Sequence, residues 1–148
     1  MGETMTELMT DPTMQVFAVC ASLLVLKMWL TGTATGITRI LRRAYITEED
    51  YALLGKTEPN TDPLVERLRR IHQNDLENIL PFLAAGFLYA LTGPSQDLAW
   101  WLFTVFTAAR IVHTGTYLLS LQPWRTIAFE VGNIALLVIV ILLLLAVI

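Results

Sequence analysis

Cysteine, histidine and charge are all scarce in this chain of 148 residues: it has one cysteine, two histidines and only 16% charged residues. The lone Cys20 has no partner for an internal disulfide, so it implies no redox compartment, and in an apolar segment it is expected to pack as a small hydrophobe. His72 and His113 are separated and have no cysteine pair beside them. Zinc spacing is therefore missing, as are the Gly-rich turns of dinucleotide and P-loop sites, and no metal is expected. A Ser-His-Asp triad would have to be assembled from isolated residues. The net charge of -3 and the gathering of basic residues at loop edges exclude a phosphate-tracking stripe, so no nucleic acid partner is expected. The opening "MGETMTELMTDPTMQ" is acidic and lacks the basic start and cleavage site of a secretory leader, so the first apolar run is expected to be retained.

What is abundant is apolar surface. Hydrophobic residues make up 55% of the chain, and the mean hydropathy is +0.57. This composition predicts an integral membrane protein, all-α, with a single domain over residues 1–148. Crossing a bilayer takes roughly 20 apolar residues in a helix. Four segments approach that length: Thr13 to Arg43, Pro63 to Leu91, Gln96 to Leu119 and Trp124 to Ile148. Asp62-Pro63 reads as an N-cap followed by the first helical residue, while "TGPSQ" and "SLQPWR" read as tight connections. Short connections make consecutive helices antiparallel neighbours, which predicts a four-helix bundle.

Lys and Arg collect on one side of this arrangement. Arg39, Arg42, Arg43, Lys56, Arg67, Arg69, Arg70 and Arg125 fall in or beside the first and third connections, whereas the N-terminus, "TGPSQD" and the C-terminus have none. The positive-inside rule turns those two connections to the cytosol, with Trp100 and Trp101 anchoring the opposite interface. "GTATG" at Gly32 to Gly36 is a small-xxx-small pattern suited to close helix contact.

Ionisable groups at membrane depth are costly, and they normally point into a bundle or a water-filled cavity. On the second helix Arg67, Arg70, Asn74 and Glu77 follow helical spacing; on the third, Arg110, His113, Thr114 and Tyr117 do the same. The first helix adds Lys27 and Arg39, and the fourth adds Glu130 and Asn133. Lys27 is expected to pair with an acid such as Glu77. The two stripes can meet in a basic, hydrogen-bonding cavity open to the cytosol. An interhelical ion network that only holds the bundle is the alternative, although a bundle needs fewer charges than this. Pro81 withholds an amide from the Glu77 carbonyl, which then serves either as an anchor for an ammonium or amide donor or as nothing more than a tolerated break in the ladder.

"LKMWLTGTATGITRILRRAYITEED", "VERLRRIHQNDLENILPF" and "ARIVHTGTYL" together resemble the membrane-associated proteins in eicosanoid and glutathione metabolism, the MAPEG family, in the branch that joins microsomal glutathione transferases to prostaglandin E synthases. The resemblance implies a homotrimer of four-helix subunits that binds glutathione between neighbours, near the cytosolic face of a bacterial inner membrane or of the endoplasmic reticulum. It implies glutathione contacts at Arg39, Arg70, Asn74, Glu77, His113, Tyr117 and Arg125, with Lys27 and Asp50 in support and Asp50 pairing with Arg125. Arg110 takes the place of a catalytic arginine, and Thr126 that of a serine proposed to bond the thiol. Phe129 replaces a tyrosine and Gln73 an arginine of the prostaglandin synthase, which turns the reading toward the transferase. The activity so implied is conjugation of glutathione to apolar electrophiles, with a peroxidase capacity toward lipid hydroperoxides. An endoperoxide isomerase, a lipid-binding scaffold and a transporter built around Glu77 or Glu130 are the alternatives.

Overall fold

The computed structural model describes residues 2–52 and 58–148, with side chains from residue 6 onward; Lys56 lies outside the described residues. Six helices follow one another: α1 (Gly2–Thr10), α2 (Pro12–Arg42), α3 (Glu48–Ala52), α4 (Pro63–Leu91), α5 (Gln96–Leu118) and α6 (Trp124–Val147). The described residues contain no strand. The four long helices fall where the apolar runs predict them, within a residue at each end. The short helices α1 and α3 lie in segments too polar to register as hydrophobic periodicity.

The boundaries follow local chemistry. Asp11 caps α2 by accepting the Met14 amide at 2.9 Å, with Pro12 supplying a preset φ at the first position. Asp62 does the same for α4, accepting the amides of Leu64 at 2.9 Å and Val65 at 3.3 Å, as the sequence predicts. At the other end of α2, Arg43 adopts a left-handed φ of 53° and the Ala44 amide donates to the Arg39 carbonyl at 3.0 Å, closing the last turn. Gly93, at φ 67°, turns the chain between α4 and α5, a conformation that suits a residue without Cβ.

Long-range contacts set the register. Phe17 meets Phe87 and Lys27 meets Asp75, so α2 and α4 run antiparallel; Arg67 at the start of α4 reaches the Leu118 carbonyl at 3.0 Å, so α4 and α5 do also. The basic connections are thereby gathered at one end. The half away from them is filled by an aromatic core in which Phe82 stacks on Phe106 with centroids 4.2 Å apart and Phe17 meets Phe103 at 5.4 Å. Gly86 makes room for this: a Cβ there would stand 2.9 Å from Phe17 Cε2. The other half of the interior is polar, and it contains Lys27, Asp75, Asn74, Arg110 and His113.

Among the described residues, two helices are long and apolar enough to cross a membrane by those criteria alone, α2 and α6. Their outward faces carry exposed Leu23, Leu26, Trp29 and Leu30, and Ile134, Leu137, Ile141 and Leu145. Helices stand at the positions of all four expected spans, but α4, with Glu66, Arg67, Arg69, Arg70, Asp75 and Glu77, and α5, with Asp97 and Arg110, fall short of the apolarity that α2 and α6 reach.

Candidate functional site

The polar half of the interior centres on Arg110, on the inward face of α5. It is the largest fully buried side chain, at 0% exposure. Its Nη1 donates to Asn74 Oδ1 on α4 at 3.3 Å, and the Asn78 amide nitrogen in turn donates to the Asn74 carbonyl at 2.8 Å. The guanidinium carbon lies 5.1 Å from the Phe129 ring centroid and 5.8 Å from that of Phe106, so it is held between aromatic faces. Among the described residues its Nε and Nη2 have no hydrogen-bond partner. Each buried polar group left unmatched costs about 1–3 kcal/mol, so these donors constitute a site that an acceptor would relieve.

Gly132 of α6 shapes this position. A Cβ there would lie 3.2 Å from Arg110 Nε and 3.4 Å from Nη2, so α6 passes close over the guanidinium with backbone alone. Nothing in the hydrophobic pattern marks Gly132, since one glycine in an apolar helix is unremarkable until its neighbour is known.

Lys27 pairs with Asp75, its Nζ 2.5 Å from Oδ1. This corrects the expected pairing with Glu77, and the reason is helix phase. Asp75 lies on the buried stripe of Leu68, Ile71, Asn78, Ile79 and Phe82, while Glu77 lies on the exposed side of α4, where Gln73 donates to its Oε1 at 3.0 Å. Asp75 is the residue that sequence reasoning missed. Its signal was a carboxylate set at four-residue spacing between buried Ile71 and Ile79.

The expected stripe of Arg67, Arg70, Asn74 and Glu77 straddles the edge of the buried face. Arg67 and Asn74 are half-buried, and Arg70 and Glu77 are exposed. Arg67 holds the end of α5, bonding the Leu118 carbonyl and the Ser120 hydroxyl. On α5 the stripe holds together: His113 is buried with its ring centroid 5.6 Å from that of Tyr117 and 5.7 Å from that of Phe129. His113 Nδ1 and Thr114 Oγ1 also have no partner among the described residues. Arg125 lies over the Tyr117 ring at 4.6 Å. The Gln122 amide joins this group: with its oxygen toward the guanidinium it accepts from Arg125 Nε at 3.1 Å, and its nitrogen donates to Thr126 Oγ1 at 3.1 Å.

Thr126 therefore keeps company with Gln122 and Arg125. It stands six residues before Gly132, about 9 Å of helix rise from the part of α6 that faces Arg110. Asp50 is held by Arg39 and by the Thr47 hydroxyl, the latter at 2.5 Å. The expected partnership of Asp50 with Arg125 is thus not made within the chain, because Arg39 near the end of α2 takes the carboxylate. Arg39 lines a cavity of about 540 Å³ with Thr35, Gly36, Thr47 and Arg69. Glu130 is exposed and Asn133 half-buried. Among the described residues no group of acidic, histidine and cysteine side chains could hold a metal.

Residues 17–145 match the model of the MAPEG family. The chain belongs to the MAPEG family. The match takes in all of α4 and α5, most of α2 and α6, and every site residue named above. Microsomal glutathione S-transferase 1 of Homo sapiens is 44% identical over 134 residues, 86% of each chain, and that of Sus scrofa is also 44% identical over the same length. Prostaglandin E synthase of Homo sapiens is 38% identical over 128 residues, 85% of this chain and 84% of the relative. MAPEG proteins are membrane-bound, which accords with the long apolar helices α2 and α6.

Proposed function

We propose that this MAPEG chain is a membrane-bound glutathione transferase that joins the glutathione sulfur to apolar electrophiles. The observation that carries this reading is the buried guanidinium of Arg110, with two donors unpaired in a cage of aromatic rings. A thiol has an ordinary pKa of about 8.5 and only its thiolate is an effective nucleophile, so a desolvated cation aimed at the sulfur raises the reactive fraction at neutral pH. In conjugation, sulfur forms a bond to the electrophilic carbon. The leaving group departs with its electron pair, and the thiol proton passes to solvent.

The rest of the co-substrate suits the surrounding charges. Glutathione carries two carboxylates and an ammonium; Arg39, Arg70 and Arg125 offer planar forks to the carboxylates, and Glu77 offers a counter-charge to the ammonium. Asn74, His113 and Tyr117 complete the proposed binding set, and the Thr126 hydroxyl is a second candidate donor to sulfur. In this reading all four long helices span the bilayer as a bundle, with the basic end toward the cytosol.

Arg70 and Glu77 support a homotrimer. Both stand exposed on α4, and an ionised side chain facing lipid at that depth is costly, so the face that bears them is covered by a neighbouring copy. A binding site shared between subunits follows.

The test is ultraviolet absorbance of the detergent-solubilised protein mixed with glutathione. A thiolate band and conjugation of a chromogenic electrophile are expected, and Arg110→Ala should lose both while keeping its helicity. An undiminished thiolate band in Arg110→Ala would refute the assignment. Likeness to prostaglandin E synthase favours a second reading, a glutathione-dependent isomerase acting on an endoperoxide. Turnover of an endoperoxide without net consumption of glutathione distinguishes it. The same thiolate could reduce a lipid hydroperoxide, one oxygen leaving in the alcohol and a second glutathione completing the disulfide with release of water; disulfide formation tests that capacity.

A further inference from the structure

A carboxylate buried beside a guanidinium ordinarily closes on it as a two-pronged ion pair. Asp75 and Arg110 do not do this. Asp75 is 1% exposed and directly follows Asn74, whose Oδ1 accepts from Arg110 Nη1 at 3.3 Å, yet among the described residues Arg110 Nε and Nη2 and Asp75 Oδ2 are all left without partners. What holds the carboxylate is Lys27, reaching across from α2 with its Nζ at 2.5 Å from Oδ1.

The groups around this point can be taken helix by helix. From α2 comes the cation of Lys27, from α4 the anion of Asp75 and the amide of Asn74, and from α5 the guanidinium of Arg110 with the imidazole of His113 beside it. From α6 come Gly132 and the Phe129 ring, neither charged, while Glu130 on that helix is exposed; at the start of α6 Arg125 lies over the Tyr117 ring, which packs against His113. Two cations therefore share one buried carboxylate. If Asp75 paired with Arg110 instead, the uncompensated charge would sit on Lys27 and the guanidinium would be neutralised.

We propose that Lys27 is a positioning residue that engages Asp75 so that the Arg110 guanidinium stays unneutralised and open to an anionic sulfur. The inference rests on the assignment of Arg110 to the glutathione thiolate. It makes a specific claim about roles: Lys27 touches neither glutathione nor electrophile, and its effect is exerted entirely through Asp75. Removing Lys27 frees Asp75 to close on Arg110, whereas removing Asp75 leaves Arg110 as available as before.

The experiment measures the thiolate band of bound glutathione in the full-length protein in detergent, against pH, for four variants. Lys27→Met should lower the thiolate fraction by about tenfold below the ordinary thiol range, since one pKa unit is a factor of ten in population. Lys27→Arg should keep the band. Asp75→Asn should show a band at least as strong as the unmodified protein, and the double variant Lys27→Met with Asp75→Asn should regain what Lys27→Met lost. That rescue separates positioning from a structural role, because a residue needed only for packing is not replaced by a second substitution at its partner. A full band in Lys27→Met, or a double variant as weak as Lys27→Met with native helicity, overturns the proposal. Should Lys27→Met fail to fold with its carboxylate stranded, Asp75→Asn decides alone, and a weakened band there overturns it. Absence of the band in the unmodified protein defeats the thiolate reading itself and this inference with it; its presence with no response to Lys27 or Asp75 defeats only the inference.

Discussion

Gly132→Ala probes the contact between α6 and Arg110 with a single added methyl. The new Cβ would lie 3.2 Å from Arg110 Nε, 3.4 Å from Nη2 and 3.6 Å from Ala109 Cβ. Relief takes a few tenths of an ångström, and Arg110 has little freedom to supply it: the residue is wholly buried, tied to Asn74 at 3.3 Å and backed by the Phe129 ring. Overpacking a close interior costs about 1–3 kcal/mol, while replacing glycine by alanine within a helix returns roughly 0.5–1 kcal/mol. The net expectation is a destabilisation of about 0–2.5 kcal/mol, small enough for the protein to fold. The chemistry should suffer as well, because a guanidinium pushed away from its aim loses transition-state stabilisation directly. A tenfold fall in kcat corresponds to about 1.4 kcal/mol, and a fall of roughly that size is expected, with KM for glutathione little changed. Gly115→Ala is the matched control, since a Cβ there meets nothing within 4 Å in the chain. Circular dichroism melting and steady-state conjugation kinetics in detergent measure both quantities. If Gly132→Ala matches Gly115→Ala in Tm and in kcat, the approach of α6 to Arg110 does not govern the reaction.

Three further outcomes follow from other parts of the molecule. Glu77→Gln keeps the side chain's shape but removes the counter-charge proposed for the glutathione ammonium, so calorimetry should show affinity weakened by about tenfold. Gly86→Ala sets a Cβ 2.9 Å from Phe17 Cε2 and 3.4 Å from Phe103 Cε1 within the aromatic core, so a loss of about 1–3 kcal/mol is expected in thermal or denaturant unfolding. The survivor should bind glutathione normally, because the aromatic core lies in the other half of the interior. Asp62→Ala removes the cap that accepts the Leu64 and Val65 amides, which should cost about 1 kcal/mol and fray the basic end of α4, seen as faster amide exchange there.

Much of the architecture was legible from local patterns. The limits of α4 were readable because Asp62-Pro63 and Thr92-Gly93-Pro94 bracket one uninterrupted run. The gathering of basic residues at one end followed from counting Lys and Arg in the connections. Arg110 and His113 were findable as polar residues in a largely apolar helix that has no obvious use for them. Arg67 was placed on the right stripe, but its bonds to Leu118 and Ser120 could not be foreseen, since they cross between helices distant in sequence. Lys27 calls for an acid, and composition alone does not separate Asp75 from Glu77: they are two residues apart, which on a helix turns their side chains about 200° from each other.

By itself, then, the sequence determined the helices, their antiparallel order, the class of environment and the family, because each depends on short-range periodicity, composition or the similarity of long segments. Tertiary structure decided who faces whom. Asp75 rather than Glu77 for Lys27, Arg39 rather than Arg125 for Asp50, and the bare backbone of Gly132 over Arg110 are all products of helix phase and of axial register between helices. A shift of a residue or two in either would pair other groups, and no local pattern specifies it; it is settled where Phe17, Phe82, Phe103 and Phe106 pack against Gly86 and bring α2, α4 and α5 into one alignment.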